Sequence, residues 1–369
     1  MNMDNTTPPP ATPLHAAVYI GRFQPFHAGH GALLQQALRL APRCVVVIGS
    51  AFQARSPKNP FTWSERAEMI RQHLAAADRE RVLFVPIRDY YDEARWTAAV
   101  RAGVADVLAG ARRGIDNDTE PAADEIALVG HFKDATSAYL RDFPGWRLVG
   151  VERHQTIDAT TLRDAYFGAT ASDGAGIDAA LAALIDQAPP ATRAFLRAWS
   201  ALPAYRTMQE EWAALRRDRA AWASAPYPPV FVTVDALLRC AGHVLLIERG
   251  HAPGKGLMAL PGGFIEQRET AYQSALRELH EETGLALLPD TMRRALRAAQ
   301  VFDHPDRSQR GRTITHAHYF DLGERELPPV QAGDDAAQAA WVPIERLTAM
   351  EDRFMDDHFH ILDRFLGLT

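Results

Sequence analysis

The chain has 369 residues, 47% of them hydrophobic and 23% charged, with a formal net charge of −6 and a pI near 6.2. That length exceeds one typical hydrophobic core, so two domains are expected, and the acidic balance excludes a nucleic-acid binder relying on a general basic surface. No apolar run reaches the length of a membrane span, the first residues lack the order of a signal peptide, and Cys44 and Cys240 sit in separate apolar runs. These features exclude a disulfide framework and predict a cytoplasmic protein with a loose tail over residues 1–13.

Residues 16–20 are apolar and lead into Gly21-Arg22-Phe23-Gln24-Pro25-Phe26-His27-Ala28-Gly29-His30, after which Leu33, Leu34, Ala37 and Leu38 recur at helical spacing. A strand, a tight turn and a helix start are predicted. His27 and His30 are three apart, so both can face one point above the strand end, where glycine backbone, helix N–H groups and imidazoles suit a phosphate. Taken alone, the turn reads equally well as a Gly-rich connection with two surface histidines. The apolar run 44–48 ends in Gly49-Ser50, and the pattern repeats: helix 63–74, strand 82–87, helix 96–108, strand 126–130, helix 135–140, strand 147–151. Fully apolar strands alternating with amphipathic helices predict a doubly wound, Rossmann-like α/β domain with a parallel sheet. Ligands bind such sheets at the C-terminal strand ends, where Gly21, Gly49 and Gly130 fall.

The stretch 21–30 resembles the nucleotide-binding motif of the nucleotidylyltransferase superfamily. Lys58-Asn59-Pro60-Phe61-Thr62-Trp63-Ser64-Glu65-Arg66 resembles the segment after the second strand of nicotinamide mononucleotide (NMN) adenylyltransferases. Three further stretches are similar to that family: Arg88-Asp89-Tyr90-Tyr91 with Trp96, Gly130-His131-Phe132-Lys133-Asp134, and Ile157 to Arg163. The resemblance spans about residues 14–220 and implies adenylyl transfer from ATP to NMN, giving NAD⁺ and pyrophosphate. It implies catalytic roles for His27, His30 and Arg163 with Mg²⁺ (or Mn²⁺), and stacking of Trp96 on nicotinamide. Gly21, Arg22, Phe23, Gly49, Asn59, Arg66, Gly130 and Lys133 would line the nucleotides, and Thr160 or Thr161 would cap the helix facing the triphosphate. Two positions depart from the pattern: Ala28 stands where relatives often carry lysine, and Asp158 where the late motif usually has serine.

Residues 169–177 read as a loop, and 177–222 as alanine-rich helices broken at Pro189-Pro190 and Pro203, with a charged, solvated face over 208–219. Pro226-Tyr227-Pro228-Pro229 marks a stiff linker. The expected division is a domain over 14–224, a linker over 225–229 and a second domain over 230–369.

The second half abandons the strand–helix alternation: 230–238 and 242–247 are β-rich runs joined by a short turn. Then come Gly263, five residues, Glu269, seven residues, and Arg277-Glu278-Leu279-His280-Glu281-Glu282-Thr283-Gly284-Leu285. On a helix from about Thr270 to Glu282, the carboxylates of Glu278, Glu281 and Glu282 share one face, and a hard cation such as Mg²⁺ resolves their repulsion while binding phosphate oxygens. Every fixed position of the Nudix signature is met. Membership of that family implies an α/β/α domain with a mixed sheet and metal-dependent hydrolysis of a nucleoside diphosphate derivative. The metal would be held by Glu278, Glu281, Glu282 and a backbone carbonyl near Gly262 or Gly263, with Arg277 orienting the acids and Glu269 behind them. Arg307, Arg310 and Arg312 read as a phosphate or ribose clamp or, with equal weight, as a solvated basic loop; Asp334 or Asp335 completes the metal site or lies in an exposed turn. The resemblance to chains that pair these two domains implies ADP-ribose as substrate, and the expected partners are ATP, NMN, NAD⁺ and ADP-ribose, with no nucleic acid and no membrane. A homo-oligomer is left open. Two alternatives stand beside this reading: a Nudix domain that senses a ligand, and a nucleotidylyltransferase with a different phosphate acceptor.

Overall fold

The computed structural model describes residues 13–111, 125–131, 139–151, 157–169 and 174–369. Lys133 and residues 135–138 of the expected helix lie outside them. The chain divides into two compact units: residues up to Ala51 with Phe61–Tyr166 and Asp173–Trp199, and Phe52–Pro60 with Phe167–Ser172 and Ser200–Thr369.

The first unit runs β1 (Ala16–Gly21), α1 (Ala28–Leu40), β2 (Arg43–Ile48), α2 (Trp63–His73), α3 (Ala76–Arg79), β3 (Val82–Pro86), α4 (Glu93–Gly110), β4 (Ile126–Gly130), β5 (Arg147–Gly150), α5 (Ala159–Phe167), α6 (Gly174–Ala183) and α7 (Pro190–Trp199). Its five strands pair in the order β3-β2-β1-β4-β5, every pair parallel. The strands are apolar on both faces because helices cover both. Val18, Val45, Val47 and Leu128 meet Val100, Val104 and Leu108 of α4 in one buried cluster, each side chain contributing about 2 kcal/mol by leaving water. The strand order reverses between β1 and β4, which opens a crevice above their carboxyl ends. Cys44, buried in β2, is a free thiol pushed up to about 12 by burial; Cys240 is also free and buried.

The second unit comprises α8 (Pro203–Ala221), β6 (Val230–Cys240), β7 (His243–Arg249), β8 (Met258–Ala259), β9 (Gly262–Phe264), α9 (Ala271–Thr283), α10 (Pro289–Ala295), β10 (Leu296–Phe302), β11 (Arg312–Asp321), β12 (Ala336–Pro343), a 3-10 stretch (Ile344–Arg353) and α11 (His358–Leu366). The sheet order is β10-β11-β6-β7-β12, with β8 on β7 and β9 on β6. It is mixed, since β11 and β6 are parallel and the other pairs antiparallel. Strand period two sorts β6 between layers: Ala236, Leu238 and Cys240 pack with Leu279 of α9, and Leu237 packs with Phe359, Ile361 and Leu362 of α11. The α8 helix groups with this unit. Its Glu211 is buried, not solvated, and accepts hydrogen bonds from the N–H groups of Gly254 (2.6 Å) and Lys255 (3.3 Å).

Candidate active sites

In the first unit the chain leaves β1 through Phe23, whose φ of +53° lies in the left-handed region. Its ring is buried against Tyr19 and His30, at centroid distances of 5.3 and 4.9 Å. Gly21 is required by that packing, because a Cβ there would stand 2.8 Å from the Phe23 ring. Phe23 therefore shapes the turn and floors it, with its ring in the core.

His27 and His30 form a reciprocal cap at the start of α1. The His30 N–H donates to His27 Nδ1, and the His27 N–H donates to His30 Nδ1, each at 3.3 Å. The rings stack with centroids 3.5 Å apart. With both Nδ1 atoms accepting, each neutral imidazole carries its proton on Nε2, a donor for an anion's oxygen. Burial, then the neighbouring His27 and His131, hold His30 well below the ordinary histidine range, so it donates without being a cation.

Arg163 comes to this turn from α5. Its Nη1 donates to the Gln24 carbonyl (2.6 Å) and its Nη2 to Thr160 Oγ1 (3.2 Å). Burial, and after it the nearby Arg22, lower its pKa to about 10, which leaves it charged at neutral pH. Gln24 is itself fixed by hydrogen bonds of its side chain to both the N–H and the carbonyl of Phe61. The expected threonine cap is replaced: the Asp158 carboxylate accepts the Thr160 N–H at 3.0 Å, Thr160 serves Arg163, and Thr161 is exposed. Asp158 is thus bonded to its own helix start.

Arg66 is fully buried and donates to the carbonyls of Arg22 (2.6 Å), Gly49 (2.7 Å), Ser50 (3.0 Å) and Thr62 (3.2 Å). It ties the ends of β1 and β2 together. Beside it Ser50, at a φ of +49°, donates its N–H and hydroxyl to the Asp89 carboxylate at 3.1 and 2.5 Å. Gly130 makes room for Leu140, and Trp96 is half-buried in the first turns of α4, edge-on to Tyr139 and Phe143. Asn59 falls in the 52–60 segment grouped with the second unit, where its amide donates to Gln53 Oε1 at 2.7 Å.

In the second unit α9 starts at a capping box made by Thr270 and Gln273 and ends at Gly284, left-handed at φ 62°. Glu278 and Glu282 are buried, and Glu281 is exposed beside them. The Glu282 carboxylate accepts the Gly262 N–H at 2.8 Å. Gly263 must lack a Cβ, which would stand 2.5 Å from Glu278 Oε1. Arg277 binds Glu269 (3.0 Å), Glu278 and Glu281 (both 2.8 Å), and the Phe264 carbonyl (3.2 Å). Burial pushes Glu282 up to about 8, with Glu278 and Asp235 adding to the effect, and burial also raises Glu278.

Among the described residues no three His, Cys, Asp or Glu groups are placed as a metal cage. The donors present nevertheless fit a hard divalent cation, because two buried carboxylates meet the 262–263 backbone at one place and Arg277 bonds only Glu278 of the pair. Such an ion ordinarily keeps waters and substrate oxygens as its remaining ligands. Glu281, held by Arg277, is the outermost of the expected three.

The cytidylyltransferase-like family matches residues 18–129 and the NUDIX domain family residues 229–365. A nicotinamide/nicotinic acid mononucleotide adenylyltransferase of Acinetobacter baylyi is 33% identical over 198 residues, which are 53% of this chain and 93% of that protein. A bifunctional NMN adenylyltransferase/ADP ribose pyrophosphatase of Francisella tularensis, crystallised with AMP and a manganese ion, superposes with a TM-score of 0.82 at 33% identity. The match covers 96% of this chain and 99% of that one. The chain belongs to the bifunctional NMN adenylyltransferase/Nudix family. An ADP-ribose pyrophosphatase of Methanocaldococcus jannaschii is 37% identical over 116 residues, 31% of this chain and 63% of that protein.

The adenylyltransferase unit brings together His27, His30, Arg22 and Arg163 at the ends of β1 and α5, with Gly21 and Gly49 beneath. The Nudix unit brings together Glu278, Glu282, Gly262 and Gly263. The three arginines of the basic loop have different partners. Arg307 is buried against Asp357, Arg312 donates to the Asp303 carbonyl, and Arg310 lies 4.0 Å from Asp218. Asp334, left-handed at φ 46°, contributes to the field at Glu278, while Asp335 lies 3.6 Å from His251. Sequence reasoning named Gln24, Ser50 and Asp89 only as parts of longer stretches and passed over Asp235, a carboxylate inside the otherwise apolar run Val234-Asp235-Ala236-Leu237-Leu238.

Proposed function

We propose that the first unit transfers the adenylyl group of ATP to NMN, releasing pyrophosphate and forming NAD⁺, and that the second hydrolyses ADP-ribose to AMP and ribose 5-phosphate. The observation that supports this best is the near full-length likeness, at 33% identity, to a protein whose name joins the two activities, in a chain carrying both sets of residues.

In the transfer, an oxygen of the NMN phosphate bonds to the α-phosphorus of ATP as the bond to the bridging oxygen of pyrophosphate breaks. The Nε2–H groups of His27 and His30 and the Arg163 guanidinium stabilise the charge that moves onto the departing phosphates, and the free N–H groups of α1 add their dipole. Trp96 holds the nicotinamide ring. In the hydrolysis, one of the acids Glu278, Glu281 and Glu282 takes the proton of the water that attacks a diphosphate phosphorus, and Arg277 keeps those acids in place. Mg²⁺ held by Glu278, Glu282 and the backbone at 262–263 would neutralise the diphosphate and acidify that water. We place both reactions in the cytoplasm; among the described residues no helix is long and apolar enough to cross a membrane.

The test is to assay NAD⁺ formation and AMP release from ADP-ribose with the wild type, Glu282→Gln and His27→Asn. Each variant should lose one activity and keep the other. Loss of both in either folded variant refutes independent sites.

A further inference from the structure

Arg307 is about 6% exposed, and one edge of its fork grips Asp357: Nε and Nη2 donate to the two carboxylate oxygens at 2.9 and 2.8 Å. The same Nη2 lies 3.9 Å from Asp235 Oδ2, which accepts the Thr315 hydroxyl at 2.6 Å. A residue meant to grip a diphosphate would keep its guanidinium open.

The buried cluster reaches the hydrolytic site through three successive backbone positions. The Leu260 N–H donates to His358 Nδ1 at 3.1 Å, and that imidazole lies 3.7 Å from Asp235 Oδ1. The Pro261 carbonyl accepts the Ala236 N–H at 2.8 Å. Gly262 is paired in register with Asp235, and no slack separates them: a Cβ on Gly262 would stand 2.2 Å from the Val234 carbonyl and 2.9 Å from Asp235 Oδ1. The N–H of that same glycine meets Glu282.

We infer that Arg307, through Asp357 and Asp235, is a positioning residue for the hydrolytic site. It fixes where the 260–262 backbone lies, and with it Glu282 and the carbonyls offered to a divalent cation. Burying an arginine among carboxylates is a poor way to gain stability, and its best-attested use is to specify register; here the register set is that of β9 on β6. Lysine could not replace it, since a point charge cannot grip both oxygens of Asp357 while facing Asp235.

The inference rests on the reading that Glu282 serves hydrolysis, and the experiment separates the two. Full-length Arg307→Ala, Arg307→Lys, Asp357→Asn and Glu282→Gln are compared with wild type for Mn²⁺ binding without substrate, by electron paramagnetic resonance, and for kcat and KM on ADP-ribose. Far-UV circular dichroism and the thermal unfolding transition of the second unit, measured in the same samples, report that the unit carrying Arg307 is folded. In Arg307→Ala, Mn²⁺ affinity and kcat should fall about 10- to 100-fold, as is usual when a group behind a metal ligand is removed, with KM little changed. Asp357→Asn should shift both the same way. Millimolar guanidinium should restore part of the loss in Arg307→Ala and none in Arg307→Lys, whose side chain fills the space. Wild-type Mn²⁺ affinity and kcat in Arg307→Ala, or a raised KM at unchanged kcat, would overturn the positioning role. A hydrolytically active Glu282→Gln would overturn the assignment beneath it.

Discussion

The two sites meet phosphate from opposite electrostatic sides. In the adenylyltransferase unit the protein supplies the donors: two stacked neutral imidazoles on a helix N-terminus, Arg163 close by, and buried Arg66 tying the strand ends behind them. In the Nudix unit it supplies acids, two of them buried, whose repulsion is answered inside the chain only in part by Arg277. The first arrangement receives an anion directly; the second receives one through a cation. Supporting residues follow the same division, since a buried arginine holds carbonyl groups in one unit and carboxylates in the other.

The comparison breaks first, if it is wrong, at Glu282. Glu282→Gln keeps the size of the side chain but loses the charge, and AMP release should fall by at least about a thousandfold, roughly 4 kcal/mol of barrier, with NAD⁺ synthesis unchanged. The mirror experiment is His27→Asn, which retains an N-cap acceptor while removing the imidazole donor. NAD⁺ synthesis should drop about 10²- to 10³-fold with hydrolysis intact. Arg66→Met tests the scaffold: four carbonyls, two of them in fully buried bonds, lose their donor, so the unfolding transition of the first unit should be destabilised by about 3 kcal/mol or more in calorimetry, with ADP-ribose hydrolysis surviving below that transition.

Acid sharpens the contrast. His30 has a folded pKa below its unfolded value of about 6.5, so the unfolded chain takes up the proton first. Its contribution to stability is complete above that pH and is lost as pH falls toward the folded value. Imidazole ¹⁵N shifts at pH 6 should still show a neutral ring protonated on Nε2. The smallest effect is expected at the capping boxes that open α2 and α9: Thr62→Ala and Thr270→Ala should each cost about 1 kcal/mol, each in its own unit, measured by denaturant unfolding.

Much of this was legible in the sequence because it depends on neighbours along the chain. The strands of the first unit follow from continuous apolar runs, and the clustering of Glu278 with Glu282 follows from helical spacing. What misled was residue type. An arginine beside a motif reads as a ligand for phosphate, yet Arg66 and Arg307 are among the most deeply buried charged groups. Phe23, in a glycine-rich turn, reads as lining a nucleotide, and its ring is core. In each case the partners are distant: Arg66 joins carbonyls 16 and 17 residues away at the end of β2, and Arg307 joins a carboxylate 50 residues away.

The sequence by itself determined that there are two folds, which reactions they suit, and where the reacting side chains recur, because local periodicity and fixed spacing carry that information. Only the tertiary structure decided which polar residues are spent on the scaffold. It turned His27 and His30 into each other's caps, gave Asp158 the helix start expected of a threonine, and joined the 303–312 loop to the backbone at Gly262. The physical reason is burial. Whether a charged group pairs with carbonyls, carboxylates or a ligand is set by what the fold places within about 3 Å of it once water has been removed.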